Sequence, residues 1–200
     1  MKDYGSLRGE VWLSELIRSF ISVDLEEELL ENFRKLQEQI ASSGADLRLV
    51  ALENLHLTLC FLGEIPRPKV EAVIRGLKKL KFNAFRVRFE GAGAFPNLNR
   101  PRVVWVGVSE GVEELKALAG KVEKIETEAG IPRAPKGFTP HLTLARVKSG
   151  RNLSSLTKVL HELSRVEIGV MEVRAVRLKR SVLTPKGPVY SNLYEVKAVG

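Results

Sequence analysis

The chain has 200 residues, 44% hydrophobic and 28% charged, with a net charge of +8. That composition excludes a disordered or fibrous chain and fits one large globular domain, whose basic balance favours an anionic partner such as nucleic acid or a nucleotide. The single cysteine, Cys60, excludes an internal disulfide and a cysteine-rich zinc site; no apolar run is long enough to span a membrane, and Met1–Arg18 is too broken by charge for a signal peptide, so a cytoplasmic protein is expected.

In chain order, residues 1–17 read as an N-terminal extension in which Trp12, Leu13, Leu16 and Ile17 can form a short apolar helix face; residues 18–200 read as one domain. Phe20–Val23 reads as a strand. Asp24 is placed to cap a helix with Glu26, Glu27 and Glu28 in its first turn and Leu29, Phe33, Leu36 and Ile40 at helical spacing, ending at Gly44. Leu55–Leu62 reads as a strand closed by Gly63. Pro66 and Pro68 open a second helix carrying Val70, Val73, Ile74, Leu77 and Leu80.

Phe85–Phe89 alternates as a strand, and Gly91, Gly93, Pro96, Asn97 and Asn99 mark a loop. Val103–Val108 reads as a buried strand and Glu113–Glu128 as a helix stopped by Gly130. A turn-rich stretch with Pro132, Pro135, Gly137 and Pro140 leads into a strand from His141. A helix follows near Ser154–Ser164. Glu172–Leu183 and Tyr190–Val199 close the chain as two strands joined at Pro185, Gly187 and Pro188.

The tetrapeptide His-Leu-Thr-Leu occurs twice, at His56–Leu59 and His141–Leu144, and holds two of the chain's three histidines. In a strand, alternate side chains point to opposite faces. His56 and Thr58 therefore share one face, and Leu57 and Leu59 the other; the second copy repeats this with His141 and Thr143 against Leu142 and Leu144. Two such strands facing each other make a polar cleft with two imidazoles and two hydroxyls. Each motif strand is followed by a helix and then more strand, an echo that suits two similar lobes.

Two imidazoles across a cleft can act as base and acid in one step, because histidine titrates near neutrality. Threonine hydroxyls can donate to an anionic oxygen as charge shifts. A phosphodiester suits that set, with no metal required. Zinc would want a third or fourth ligand, and only Glu53 and Glu64 lie near a motif. His161 lies in a helical run and reads as a surface residue.

The paired motifs and their flanks resemble the LigT-like branch of the 2H phosphoesterase superfamily, the RNA 2′,3′-cyclic phosphodiesterases also called 2′-5′ RNA ligases. The resemblance runs from Arg18 to about Val199. It rests on Arg18–Asp24, Asn54–Glu64, Phe95-Pro96 with Arg100–Gly107, Pro140–Arg146 and Gly187–Tyr190. It implies an α+β, bilobal fold, with two mainly antiparallel sheets flanked by helices around a central cleft. It implies that His141 is the general base and His56 the general acid in opening a 2′,3′-cyclic phosphate to a 2′-phosphate. Thr58 and Thr143 would hold the phosphate. The reverse reaction, an ATP-independent 2′-5′ ligation, is also implied.

Arg146 is a further candidate for the phosphate, although unbroken alternation from His141 turns it away from the cleft. Phe138 is a candidate for stacking a base. Arg100, Arg102, Arg133, Lys136, Arg180 and Lys186 can line an RNA path. The expected partner is RNA with a 2′,3′-cyclic phosphate end, such as a tRNA half, or a small cyclic nucleotide; no cofactor and a monomer are expected. Two other readings stand beside this one: an RNA-binding module with vestigial catalysis, and a phosphodiesterase for another 2′-5′ or cyclic nucleotide.

Overall fold

The computed structural model describes residues 15–132, 137–185 and 187–199. Among the described residues nine strands form one sheet: β1 (Leu16–Asp24), β2 (Leu47–Leu49), β3 (His56–Pro66), β4 (Phe85–Phe95), β5 (Val103–Glu110), β6 (His141–Val147), β7 (Glu167–Val173), β8 (Ala175–Thr184) and β9 (Gly187–Lys197). Among the same residues four α-helices accompany them: α1 (Glu27–Ala41), α2 (Arg67–Leu77), α3 (Val112–Glu128) and α4 (Leu153–Glu162). The order across the sheet is β7-β4-β5-β6-β3-β1-β8-β9, with β2 pairing β6. All the pairings are antiparallel.

The order is close to two-fold about the centre. On one side lie β3, β1, β8 and β9; on the other lie β6, β5, β4 and β7. The expected two sheets are thus continuous. They meet through one ladder pair, Leu57 with Leu142.

The motif leucines turn into the core as their alternation requires: Leu57, Leu142 and Leu144 are fully buried and Leu59 nearly so. Helices cover that face. α2 and α3 pack on β3, α1 on β7 and α4 on β4. Phe33 of α1 meets Phe89 of β4 edge to face with centroids 5.3 Å apart, within the range of favourable ring pairs.

Several elements differ from the sequence-based expectation. β1 starts at Leu16, so Leu16 and Ile17 belong to the strand and not to a helical face in an extension; Trp12 and Leu13 lie outside the described residues. Asp24 does not cap α1, whose N-cap is Glu26; its carboxylate instead meets Lys179 and Arg177 of β8. β4 runs on through Gly91 and Gly93 to Phe95. Gly93 is strand because the Trp105 ring of β5 lies over it: a Cβ there would stand 2.5 Å from the ring. The run Glu172–Leu183 is cut at Arg174, with β7 a separate strand from Glu167.

Candidate active site

The opposite face of the central strands forms a cleft of about 890 Å³. His56, Thr58, His141, Thr143 and Arg146 all line it, with Phe20, Phe61 and Tyr190. The register that pairs Leu57 with Leu142 sets His56 opposite Thr143 and Thr58 opposite His141. Each imidazole thus shares its level of the sheet with the other strand's hydroxyl.

Both rings are held in the same way. His56 Nδ1 lies 2.7 Å from the Asn54 carbonyl, and His141 Nδ1 lies 2.7 Å from the Thr139 carbonyl. A carbonyl can only accept, so Nδ1 carries the hydrogen in both rings. Nε2 is left as the nitrogen that exchanges a proton. The first anchor is tied further: Asn54 Nδ2 donates to the Pro188 carbonyl at 3.2 Å, joining the start of β9 to the residue that orients His56.

The environments of the rings differ. Phe20 stacks on His56 with centroids 4.8 Å apart, and Tyr190 meets it edge-on at 5.5 Å. Phe95 meets His141 edge-on at 4.9 Å. Burial pushes the His56 pKa down; the Asn54 carbonyl opposes this, Lys179 adds to it, and Asp24 opposes it. Asp24 lies opposite His56 in the β1–β3 register. It accepts from Lys179 Nζ at 2.6 Å and from Arg177 Nη1 at 3.0 Å. Burial also raises the Tyr190 phenol, against the pull of the Arg146 and Arg18 charges.

A β-bulge decides where Arg146 points. Thr143 pairs with Trp105 and Ala145 with Val104, so Leu144 is an extra residue on β6. Leu144 and Ala145 are both buried and the alternation reverses after them. Arg146 therefore shares the cleft face with His141 and Thr143, contrary to the expectation from an unbroken strand. The bulge carbonyl is satisfied: Leu144 O accepts from Val50 N at 2.8 Å and from Gln37 Nε2 at 3.0 Å.

β3 has the same device. Ser22 pairs with Thr58 and Ile21 with Cys60, leaving Leu59 as the extra residue. Phe61 then stands five residues after His56 as Arg146 stands five after His141. The repeated motif thus places an aromatic ring in one half of the cleft and a guanidinium in the other. Phe61 is 67% exposed, an unusual setting for a ring of that size. Sequence reading missed Phe61, Phe20, Tyr190 and Arg48 as cleft residues; the repeated five-residue offset was the signal for Phe61.

Phe138 is half-buried against the core and is not among the residues that line the cleft. It precedes β6 in the chain. Arg100 and Arg102 lie outside the cleft wall, and Arg180 bonds Glu15 at 3.0 Å. Arg133, Lys136 and Lys186 lie outside the described residues. His161 is on the exposed face of α4. Cys60 is a partly buried free thiol whose pKa burial pushes up. Among the described residues, no group of three His, Cys, Asp or Glu side chains is placed to hold a metal ion, and no helix is long and apolar enough to cross a membrane.

The family described as LigT like Phosphoesterase matches this chain twice, over residues 23–105 and 106–190, with one His-Leu-Thr-Leu in each match. A protein of Aeropyrum pernix named RNA 2′,3′-cyclic phosphodiesterase is 46% identical over 164 residues, 82% of this chain and 93% of its own length. One of the same name from Archaeoglobus fulgidus is 40% identical over 177 residues, 88% of this chain and 98% of its own. Among solved structures, Escherichia coli LigT complexed with 3′-AMP superposes with a TM-score of 0.74 at 26% identity, covering 94% of this chain and all of that one.

Proposed function

The chain belongs to the LigT-like phosphoesterase family, and from that premise we propose that it is a metal-independent RNA 2′,3′-cyclic phosphodiesterase working by two-histidine acid–base catalysis. The observation that carries the reading is the crosswise placement of two imidazoles and two threonines in one cleft, each imidazole with Nδ1 bonded to a carbonyl and Nε2 free. The relatives of that name support the substrate class.

In this mechanism His141 Nε2 takes a proton from water as the oxygen attacks phosphorus. The bond from phosphorus to the ribose 3′ oxygen breaks, and His56 Nε2–H gives its proton to that oxygen. The product is a 2′-phosphomonoester. Thr58 and Thr143 donate to the non-bridging oxygens, where negative charge builds, and Arg146 adds its charge beside them. Each proton transfer is worth about 10²- to 10⁴-fold.

One feature supports this order of acid and base. Phe61 extends from the strand of His56, so a base laid on that ring keeps the ribose, and its leaving oxygen, on the His56 side. Burial lowers the His56 pKa, which by itself disfavours the imidazolium; the negative charge of the substrate phosphate acts against that shift. By microscopic reversibility the same groups can join a cyclic phosphate end to an RNA hydroxyl without ATP.

The test is an RNA ending in a 2′,3′-cyclic phosphate, incubated with the protein in EDTA, with the terminal phosphate identified. The expected product carries a 2′-phosphate. His56→Ala or His141→Ala is expected to abolish the reaction, and the double variant to be little worse than either, because such groups act as a unit. A 3′-phosphate product would overturn the leaving-group assignment; full activity in His141→Ala would overturn the mechanism. Tight RNA binding with no turnover would leave the vestigial reading.

A further inference from the structure

We propose that the Tyr190 hydroxyl is a further donor to the reacting phosphate, meeting a non-bridging oxygen from the His56 half of the cleft. The inference rests on the cyclic phosphodiesterase reading and deepens it, adding one substrate-binding residue to the two histidines, the two threonines and Arg146.

The two halves of the sheet are not used alike. β8 and β9 end the strand order on the His56 side, and β4 and β7 end it on the His141 side. The cleft wall takes Ser181, Leu183 and Thr184 from β8 and Gly187, Pro188, Val189 and Tyr190 from β9, but no residue from β4 or β7. The β8–β9 hairpin thus supplies a wall that the other half lacks. It is tied in place two residues before Tyr190, where the Pro188 carbonyl accepts from Asn54 Nδ2 at 3.2 Å.

The Tyr190 ring is braced on two sides. Its centroid lies 4.9 Å from that of Phe20 and 5.5 Å from that of His56, edge-on to both, while Phe20 stacks on His56 at 4.8 Å. Three rings in mutual contact hold the phenol beside the imidazole, and none of those contacts uses its oxygen. Among the described residues the hydroxyl bonds no protein group.

The charges that act on the phenol are cations. Arg146 of β6 and Arg18 of β1 both line the cleft and both pull on it, from opposite halves of the sheet. Burial outweighs that pull and raises the phenol, so the oxygen keeps its hydrogen at neutral pH. Guanidiniums only donate, so neither arginine can accept from Tyr190. The anion that the cleft takes beside His56 brings the acceptor. An O–H bond to a charged oxygen is among the stronger hydrogen bonds, and it strengthens as negative charge builds on the non-bridging oxygens.

Tyr190→Phe keeps the ring against Phe20 and His56 and removes only the oxygen, so the variant is expected to melt with the wild type. For nucleoside 2′,3′-cyclic phosphates kcat/KM is expected to fall about 10- to 100-fold, the effect of one hydrogen bond to a charged group. The factor should be the same for adenine and cytosine substrates. Competitive inhibition separates the contacts: Ki for inorganic phosphate should rise about tenfold, and Ki for adenosine should stay where it is.

An unchanged phosphate Ki in Tyr190→Phe would overturn the proposal, whichever way kcat/KM moves. So would a fall confined to one base, or an adenosine Ki that rises as much as the phosphate Ki, since either would put the hydroxyl on the nucleoside. If the wild-type protein turns over no cyclic phosphate, the reaction reading fails. The Tyr190 contact is then decided by calorimetric titration with inorganic phosphate, whose Kd must be higher for Tyr190→Phe than for wild type.

Discussion

Leu57 and Leu142 form the ladder pair that joins the two halves of the sheet, and that pair alone sets His56 against Thr143 and Thr58 against His141. Both leucines are fully buried. Leu57→Ala is expected to cost about 2–5 kcal/mol by lost burial and the cavity left behind. Leu118→Ala, on α3 and equally out of solvent, is expected to cost about the same by that mechanism. The seam variant should lose more activity than this control, by about tenfold or more, because small displacements at the reacting groups are costly. Denaturant melts and kcat/KM on both variants check it; equal activity would mean that the seam does not set the geometry.

Gln37 fixes the Leu144 bulge from beneath. It is 5% exposed and donates Nε2 to Val50 O at 2.7 Å and Leu144 O at 3.0 Å. Gln37→Met keeps the volume and removes both donors, at an expected cost of about 1–3 kcal/mol. Because the bulge turns Arg146 to the cleft, KM is expected to rise as well. A variant that melts lower but keeps the wild-type KM would show that the bulge holds without this anchor.

Much of this arrangement was legible in the sequence. The period-two placement of His, Leu, Thr and Leu predicts which side chains enter the cleft and which the core, and the helix stripes on α1 and α2 follow from 3.6-residue spacing. The bulges were not legible. Nothing in Leu59 or Leu144 marks an extra residue, since the reversal of faces depends on pairing with β1 and β5. Arg146 consequently reads as facing away. Asp24 looks like a helix cap because local rules see only its neighbours; Lys179 and Arg177 reach it from a strand more than a hundred residues later. β2 is too short to carry a period, so the Arg48–Arg146 register exists only in three dimensions.

Phe61 supplies the open aromatic face of the cleft. Stacking of a base on a ring is worth about 1–3 kcal/mol by alanine substitution. Phe61→Ala is therefore expected to lower kcat/KM about 10- to 100-fold, mostly through KM. Phe61→Trp is expected to retain or strengthen binding. Steady-state kinetics on a cyclic-ended RNA decides, and a fall in kcat at constant KM in Phe61→Ala would assign the ring to positioning of the reacting phosphate instead.

The Asp24–Lys179 pair lies behind His56, and its two members act on the imidazole with opposite sign: Lys179 lowers the pKa and Asp24 raises it. As general acid, His56 must be protonated, so its loss of a proton forms the alkaline limb of kcat/KM, which reports the free enzyme. With the pKa lowered by burial, that limb should fall below the ordinary imidazole value of about 6.5. Lys179→Met removes the cation and leaves the carboxylate, so the alkaline limb should move up in pH. Asp24→Asn removes the carboxylate and leaves Lys179 and Arg177, so the limb should move down. Loosening of the fold would displace both variants in the same direction, and opposite shifts are therefore the signature of charge. If the acidic limb moved instead, His56 would be the base and His141 the acid, and the order of proton transfer would be reversed.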